Sequence, residues 1–202
     1  PGQYVHISGS SRGIINSTPD VDMDIPEAWL LYQSLNPSRE EVVVAVIDTG
    51  IDYSHPDLKD HMWKNSGETA GDGIDNDGNG YIDDVYGWNF YDNNTQVYTG
   101  SGDSQGTHCA GTIAASRNSL GIAGIAGSSS VRIMSVKALG GSEGYGSTAS
   151  IIRAIRYAQD NGAVICNLSF GTSTNDPALD NAIASYDMLF IDSAVNAGGL
   201  FG

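Results

Sequence analysis

Four short apolar runs stand out along the chain, at residues 42–47, 131–139, 163–171 and 188–195. The first run, VVVAVI, contains no polar residue, which is typical of a strand buried on both faces of a parallel sheet. Apolar residues recur at helical spacing over 148–159, and shorter helical patterns begin near Asp22 and at Pro177. Strands that alternate with helices predict an α/β fold, a three-layer doubly wound parallel sheet with helices on both faces.

Asp48 follows the first apolar run directly, and Thr49-Gly50 then turns the chain away. In open α/β sheets ligands bind at the carboxyl ends of the strands, so Asp48 is a candidate functional carboxylate. A carboxylate that only caps the following turn would produce the same pattern. The strand and its aspartate alone leave these two interpretations equally open.

The composition limits the kinds of partner that are expected. Of the 202 residues, 24 are acidic and 9 are basic, and the formal net charge of −15 argues against nucleic acid because phosphates would be repelled. No run of eighteen apolar residues occurs, so no membrane span is expected. The start, PGQYVHISGS, lacks the features of a signal peptide. Cys109 and Cys166 are too few for a disulfide framework and are expected to be small buried residues.

A long acidic segment after Leu58 shows neither helical nor strand periodicity. Within it, oxygen-bearing residues fall at positions 1, 3, 5, 7 and 9 of a calcium loop: Asp75, Asp77, Asn79, Tyr81 (through its carbonyl) and Asp83. Gly80 at position 6 permits the sharp bend of such a loop. Position 12 is Tyr86 instead of a bidentate glutamate, so Asp72 or Asp84 would supply the missing oxygens. The spacing predicts calcium, with an acidic surface loop as the alternative.

The strings IDTGID and SHPDL around Asp48 resemble the segment around the catalytic aspartate of the subtilisin-like serine peptidases, the subtilases. The resemblance extends from about Asp22 to Gly198 and implies that Asp48 would orient a catalytic histidine. It also implies the N-terminal two-thirds of a peptidase domain at 22–202, with the C-terminal part missing, whereas the polar, Ser-rich residues before it lack periodicity and predict an extended lead-in at 1–21. A second chain that carries this remainder is then an expected partner.

The segment GDSQGTHCAG departs from the family signature at its most important position. The catalytic base of the family is the first histidine of the signature, and Gln105 stands there in this chain. A glutamine has no accessible basic form and cannot act as a general base. His108 lies three residues further along the predicted helix, about 4.5 Å along its axis. It is therefore expected to be a packed, hydrogen-bonded histidine and not a substitute base.

The nucleophile of the family is missing from the sequence, because no Gly-Thr-Ser-Met-Ala-x-Pro string occurs by Gly202. Other parts of the family's site have counterparts. The resemblance implies that Asn196 is the side-chain donor of the oxyanion hole and that Val195 replaces a glycine of the specificity pocket. It further implies that an extended peptide or protein substrate lies between two segments, Gly144-Tyr145-Gly146 and Ser169-Phe170-Gly171.

A second cation site is implied by resemblance alone. In the family, the aspartate of HPDL joins a loop that interrupts the helix after the catalytic histidine and offers mostly backbone oxygens. The counterparts here are Asp57, the side chain of Asn118 and the carbonyls of Ser116, Leu120 and Ile122. As a bare sequence the same residues would form an ordinary turn.

Three hypotheses cover this pattern: a natural pseudopeptidase, a fragment or engineered inactive form of an active endopeptidase, and a scaffold module whose peptide groove is not used. Loss of the base together with the altered pocket glycine favours the pseudopeptidase, because an engineered knock-out would replace one residue. Millimolar calcium suits the outside of a bacterial cell, so the resemblance implies an extracellular or cell-surface location.

Overall fold

A computed structural model describes residues 4–5, 15–16, 23–35, 40–127, 130–171 and 175–193. The chain divides into two compact units, at 1–39 and 40–202. The first unit contains an antiparallel pair of two-residue strands, β1 (Tyr4–Val5) and β2 (Ile15–Asn16), and helix α1 (Ile25–Leu35). Helix α1 confirms the helical pattern predicted near Asp22. The pairing of β1 and β2 was not predicted, since segments this short carry no readable periodicity.

The second unit is built on a five-stranded sheet in which every neighbouring pair is parallel. Its strands are β3 (Val42–Asp48), β4 (Gly87–Asn89), β5 (Val131–Lys137), β6 (Ile165–Leu168) and β7 (Leu189–Asp192). The order across the sheet is β4-β5-β3-β6-β7, so β3 occupies the centre as predicted. The edge strand β4 lies in the acidic segment for which no strand was expected. The chain proceeds from β3 to one side of the sheet and then to the other, which opens a crevice at the carboxyl ends of the central strands.

Helices cover both faces of this sheet: α2 (Ser104–Ala114), α3 (Thr148–Asp160) and α4 (Pro177–Ser185). On β3, Val44 and Val46 belong to an apolar cluster with the alanines of α2. Ala45 and Ile47 point to the opposite face and belong to a second cluster with Ile155 of α3. The alternation follows from the two-residue repeat of a strand. Both faces of β3 are therefore buried, and the predicted doubly wound α/β fold is confirmed.

Local sequence explains where the helices begin. Helix α3 starts with a capping box in which the Ser147 hydroxyl accepts from the backbone N–H of Ser150, and the Ser150 hydroxyl accepts from that of Ser147. Helix α4 starts with Pro177 after Asp176, whose carboxylate accepts two backbone N–H groups. No helix in the described parts of the chain is long and apolar enough to cross a membrane.

Candidate active site

Asp48 is the last residue of β3 and is fully buried. Its Oδ1 accepts a hydrogen bond from the backbone N–H of Thr49 at 2.6 Å, whereas its Oδ2 has no hydrogen-bond partner among the described residues. Burial raises the pKa of the Asp48 carboxyl above its usual range, and the bond from Thr49 offsets this only in part. An unpartnered oxygen on a buried carboxylate is costly, which favours a functional role for Asp48 over that of a simple turn cap.

We expect Asp48→Asn to stabilise the protein at neutral pH. Because the folded-state pKa of Asp48 lies above its unfolded value of 3.8, the folded state retains this proton where the unfolded chain has lost it. The free energy of unfolding of the wild type therefore falls as the pH rises from the unfolded pKa to the folded pKa of Asp48. Asparagine does not titrate, so the variant does not lose this stability. Urea unfolding of both proteins between about pH 4 and about pH 8 should show a difference that grows and then levels off. A difference independent of pH would contradict this account.

The start of helix α2 is held against the end of β3 by a contact that requires glycine. The backbone N–H of Gly106 donates to Oγ1 of Thr49 at 3.2 Å. A Cβ added at Gly106 would lie 2.3 Å from the carbonyl oxygen of Gly50 and 3.1 Å from Cβ of Asp48. Only a residue without a side chain permits this approach. The side chain of residue 105 is thereby carried to the carboxyl edge of the sheet.

Gln105 is exposed, and its amide group connects helix α2 to the end of β6. The amide Nε2 donates a hydrogen bond to the backbone oxygen of Ser169 at 2.8 Å. The Ser169 hydroxyl is itself held by the Asn167 side chain at 2.9 Å. Thus Gln105 does not supply the donor that Oδ2 of Asp48 lacks.

Cys109, one turn after Gln105, lies beside Asp48 and is half-buried. Its thiol donates to Oγ of Ser169 at an Sγ–Oγ distance of 3.4 Å, and its side chain also interacts with the Asp48 carboxylate. Burial raises the pKa of the Cys109 thiol, so it stays protonated near neutrality. The expectation of a small buried residue is met only in part for Cys109, which packs against an apolar cluster but is half-buried. It is confirmed for Cys166, because burial in the core raises the pKa of its thiol to about 12.

His108 differs from the packed histidine that was expected. It is exposed on the outer side of α2, where it lines a cavity of about 370 Å³ together with His55 and Tyr98. Three residues displace His108 by about 4.5 Å along the helix axis from Gln105, and the residues that line its cavity do not include Asp48. His108 therefore cannot take over the role of a base beside Asp48.

A buried ion pair that the sequence did not reveal anchors this edge of the sheet. Nζ of Lys137, at the end of β5, lies 2.6 Å from Oδ1 of Asp103, and both side chains are almost fully buried. The same Nζ donates to the backbone oxygen of Thr49. The other carboxylate oxygen of Asp103 accepts from the backbone and hydroxyl of Thr99. The pair thus joins the ends of β3 and β5 to the residue that precedes α2.

The two segments expected to hold a peptide lie on one cavity of about 390 Å³. Gly144, Tyr145 and Gly146 line it from one side, and Phe170 and Gly171 from the other. Ser169 does not line the cavity itself but directly precedes Phe170, which does. Asn196 and Val195, the predicted oxyanion donor and pocket residue, lie outside the described residues.

The acidic loop brings Asp77 and Asp84, both named from the sequence, together with Glu68, which was not. Ligand oxygens of Glu68, Asp77 and Asp84 all lie within 4.8 Å of one another. Asp84 is fully buried, accepts from the Tyr157 hydroxyl at 2.6 Å, and has its pKa raised by burial. Glu68 was missed because its place in the cluster depends on how the loop folds back, which no local pattern reports.

The remaining predicted residues of this loop are used largely within the loop. The Asp75 carboxylate accepts from the backbone N–H groups of Asn79 and Gly80, and the Asn79 side chain donates to Asp77 and Asp84. The Asp83 carboxylate accepts from three successive backbone N–H groups, at 71–73. Tyr81 packs its ring against Tyr157 and two other aromatic rings of the core. These bonds fold the loop around the cluster of Glu68, Asp77 and Asp84.

The second predicted cation site also has its side chains together. Nδ2 of Asn118 donates to Oδ1 of Asp57 at 3.0 Å, and Oδ1 of Asn118 accepts from the backbone of Leu120 at 2.7 Å. The backbone N–H of Ser116 donates to the carbonyl oxygen of Asp57 at 2.8 Å. Gly121 approaches so closely that an added Cβ would lie 1.9 Å from Oδ2 of Asp57. Ile122, one residue further on, is exposed.

A family model described as the subtilase family matches residues 39–201. The chain belongs to the subtilase family. The resemblance that the aspartate segment indicated is thereby confirmed.

Named relatives of this subtilase come from several organisms. It is 35% identical over 164 residues to subtilisin-like protease 1 of Plasmodium berghei (strain Anka), which covers 79% of this chain and 26% of that protein. It is 33% identical over 159 residues to thermitase of Thermoactinomyces vulgaris, covering 78% and 46%. It is 35% identical over 158 residues to the major intracellular serine protease of Bacillus subtilis (strain 168), covering 78% and 41%. The subtilase chain thus spans about a quarter to a half of the length of these curated relatives.

The fold is shared with a solved structure as well. The crystal structure of a cold-adapted subtilisin-like serine proteinase superposes on this subtilase with a TM-score of 0.51 and 25% sequence identity. The match covers 78% of this chain and 49% of the other.

Proposed function

We propose that this subtilase domain is a pseudopeptidase that binds extended peptides without hydrolysing them. The observation that carries the proposal is the side chain at position 105. Where the family's signature has its catalytic histidine, Gln105 offers an amide that cannot accept a proton at useful pH. That amide bonds to Ser169 and leaves Oδ2 of Asp48 without a donor. Proton transfer to a nucleophile therefore lacks its base, and position 105 offers Asp48 no imidazole to orient.

Peptide binding is supported by the cavity between the segments 144–146 and 169–171. Backbone groups at the end of a strand can bind an extended peptide as an additional strand, and this requires no catalytic residue. The cavity also favours peptide binding over a scaffold role in which the groove is unused. Asn196 and Val195 remain predicted parts of this site.

Calcium stabilisation is the second part of the proposal. Three carboxylates with oxygens within 4.8 Å repel one another unless a cation or a proton compensates their charge. Oxygen donors of this kind fit Ca²⁺, for which Glu68, Asp77 and Asp84 would be ligands, together with oxygens of Asp75, Asn79, Tyr81 and Asp83 as the spacing predicts. The loop of Asp57 and Asn118 would hold a second ion if the Asn118 amide presents its oxygen. Bound calcium would hold the loop against α3 and carry part of the stability.

An extracellular or cell-surface location follows from the calcium proposal, because millimolar calcium is found outside cells. A second chain that carries the C-terminal remainder of the domain also stays a prediction.

We expect the chain to bind a fluorescently labelled, end-blocked Ala-Ala-Leu-Ala-Ala peptide and to leave it intact. Fluorescence anisotropy would measure binding, and mass spectrometry after prolonged incubation would detect cleavage. Cleavage by the wild-type chain would contradict the loss of activity, and the absence of binding would contradict the peptide site. Gln105→His in the full-length protein is the matched variant. Cleavage that appears only in this variant would favour an inactivated endopeptidase over a natural pseudopeptidase.

A further inference from the structure

The end of β6 presents one backbone acceptor to the cleft and two to the opposite side, beside β7. The carbonyl of Leu168 accepts from the backbone of Ser193 beside β7, and the carbonyl of Phe170 accepts from the Ser193 hydroxyl at 3.3 Å. Successive carbonyls of an extended strand point to opposite edges. The carbonyl of Ser169 therefore points to the edge opposite β7.

Among the residues that the structure describes, no strand covers that edge at Ser169. The pairing of β3 with β6 ends at Ile47 and Leu168, and the chain then turns away from the sheet after Asp48. The Ser169 carbonyl is thus the first acceptor on this edge of β6 that lies past the end of its pairing with β3. A peptide that adds as a strand would donate an N–H at this place. In this protein the acceptor is already occupied, because Nε2 of Gln105 donates to it at 2.8 Å.

We propose that Gln105 is a competitor for the peptide: its carboxamide occupies the Ser169 acceptor, and a peptide must displace it to complete its strand pairing. This inference rests on the proposed peptide-binding function and adds a role for the residue that stands in place of the base. Gln105 is exposed and reaches Ser169 from the first turn of α2, so it can swing away without disturbing the core. Residue 105 then sets the affinity for peptides instead of acting on them.

Two substitutions separate the hydrogen bond from the bulk of the side chain. Gln105→Met keeps the length of the side chain and removes the donor, and Gln105→Asn keeps the amide but shortens its reach. Both free the Ser169 carbonyl, and we expect both to bind the end-blocked Ala-Ala-Leu-Ala-Ala peptide roughly two- to tenfold more tightly than the wild type, the usual net effect of one hydrogen bond. Ser104→Ala, at the neighbouring exposed position of α2, is the matched control and should leave the affinity unchanged. Near-UV circular dichroism would verify that each variant is folded.

A series of peptides, each N-methylated at one position, tests the competition directly. N-methylation removes one peptide donor, so one member of the series should lose the gain in affinity that Gln105→Met gives to the unmodified peptide. If the wild type and Gln105→Met bind every peptide equally, Gln105 does not compete with the peptide for the Ser169 carbonyl. The proposed peptide-binding function would still stand. If the gain persists for every N-methylated peptide, the gain comes from lost bulk and the inference is wrong. If neither protein binds any peptide, the proposed function is wrong and this inference with it.

Discussion

Replacing Lys137 with methionine is expected to lower the free energy of unfolding by about 3–5 kcal/mol. The substitution leaves the Asp103 carboxylate buried without its cation, and the desolvation of that charge is no longer compensated. Chemical denaturation of Lys137→Met and the wild type would measure the difference. The double variant Lys137→Met/Asp103→Leu should recover much of the loss, because it removes the uncompensated charge.

The exposed pair of Arg156 and Asp160 on α3 is the matched control for this experiment. Its two side chains are 72% and 59% exposed, and Arg156→Met should cost less than about 0.5 kcal/mol. An equal loss of unfolding free energy in Lys137→Met and Arg156→Met would show that burial does not determine how much the ion pair of Lys137 contributes to stability. Since the Lys137 charge also lowers the pKa of Asp48, removing it should raise that pKa further.

Removal of calcium is expected to lower the thermal midpoint by about 5–10 °C. A ligand at a hundred times its dissociation constant stabilises by about 2.7 kcal/mol, and a chain of this size shifts by roughly 2–4 °C for each kcal/mol. Differential scanning calorimetry in millimolar calcium and in excess chelator would measure the shift. A midpoint that does not change would contradict the calcium proposal.

Substitutions in the acidic loop show which carboxylates bind the ion. Glu68→Gln and Asp77→Asn should each reduce the response to calcium, whereas Asp180→Asn, on α4, should leave it intact. Asp57→Asn tests the second site separately. A calcium response retained in the Glu68 and Asp77 variants and lost in the Asp57 variant would assign the stabilising ion to the second loop.

The sequence predicted the central strand, its terminal aspartate and the alternation of strands with helices because these depend on local patterns. The apolar run before Asp48 is long enough to identify a strand buried on both faces. Strand β4 has three residues, one of them Gly87, and such a segment has no visible repeat. The segment GDSQGTHCAG likewise identified Gln105 as the residue in place of the catalytic base.

The interactions that distinguish the site were not predictable, because they join distant parts of the chain. Nothing near Lys137 indicates that its charge is paired with Asp103, and nothing near Glu68 indicates that it meets Asp84. The bond from Gln105 to Ser169 spans 64 residues and exists only once β6 is in place. Sequence patterns report the type of an element, whereas tertiary packing decides which of its polar groups meet.

The central position of β3 has a consequence for how the protein is made. Val42 pairs with Val131, and Val44 pairs with Ile165, about 120 residues further along the chain. At a synthesis rate of roughly 5–20 residues per second, the most apolar strand waits about 6–24 seconds on the ribosome for its second neighbour. The edge that later pairs with β6 stays open during that time, and the edge that pairs with β5 is open until residues 131–137 have been made. Long-range parallel pairing is slow to form even afterwards. The nascent chain is therefore most vulnerable to aggregation through the same segment that later forms the middle of the sheet.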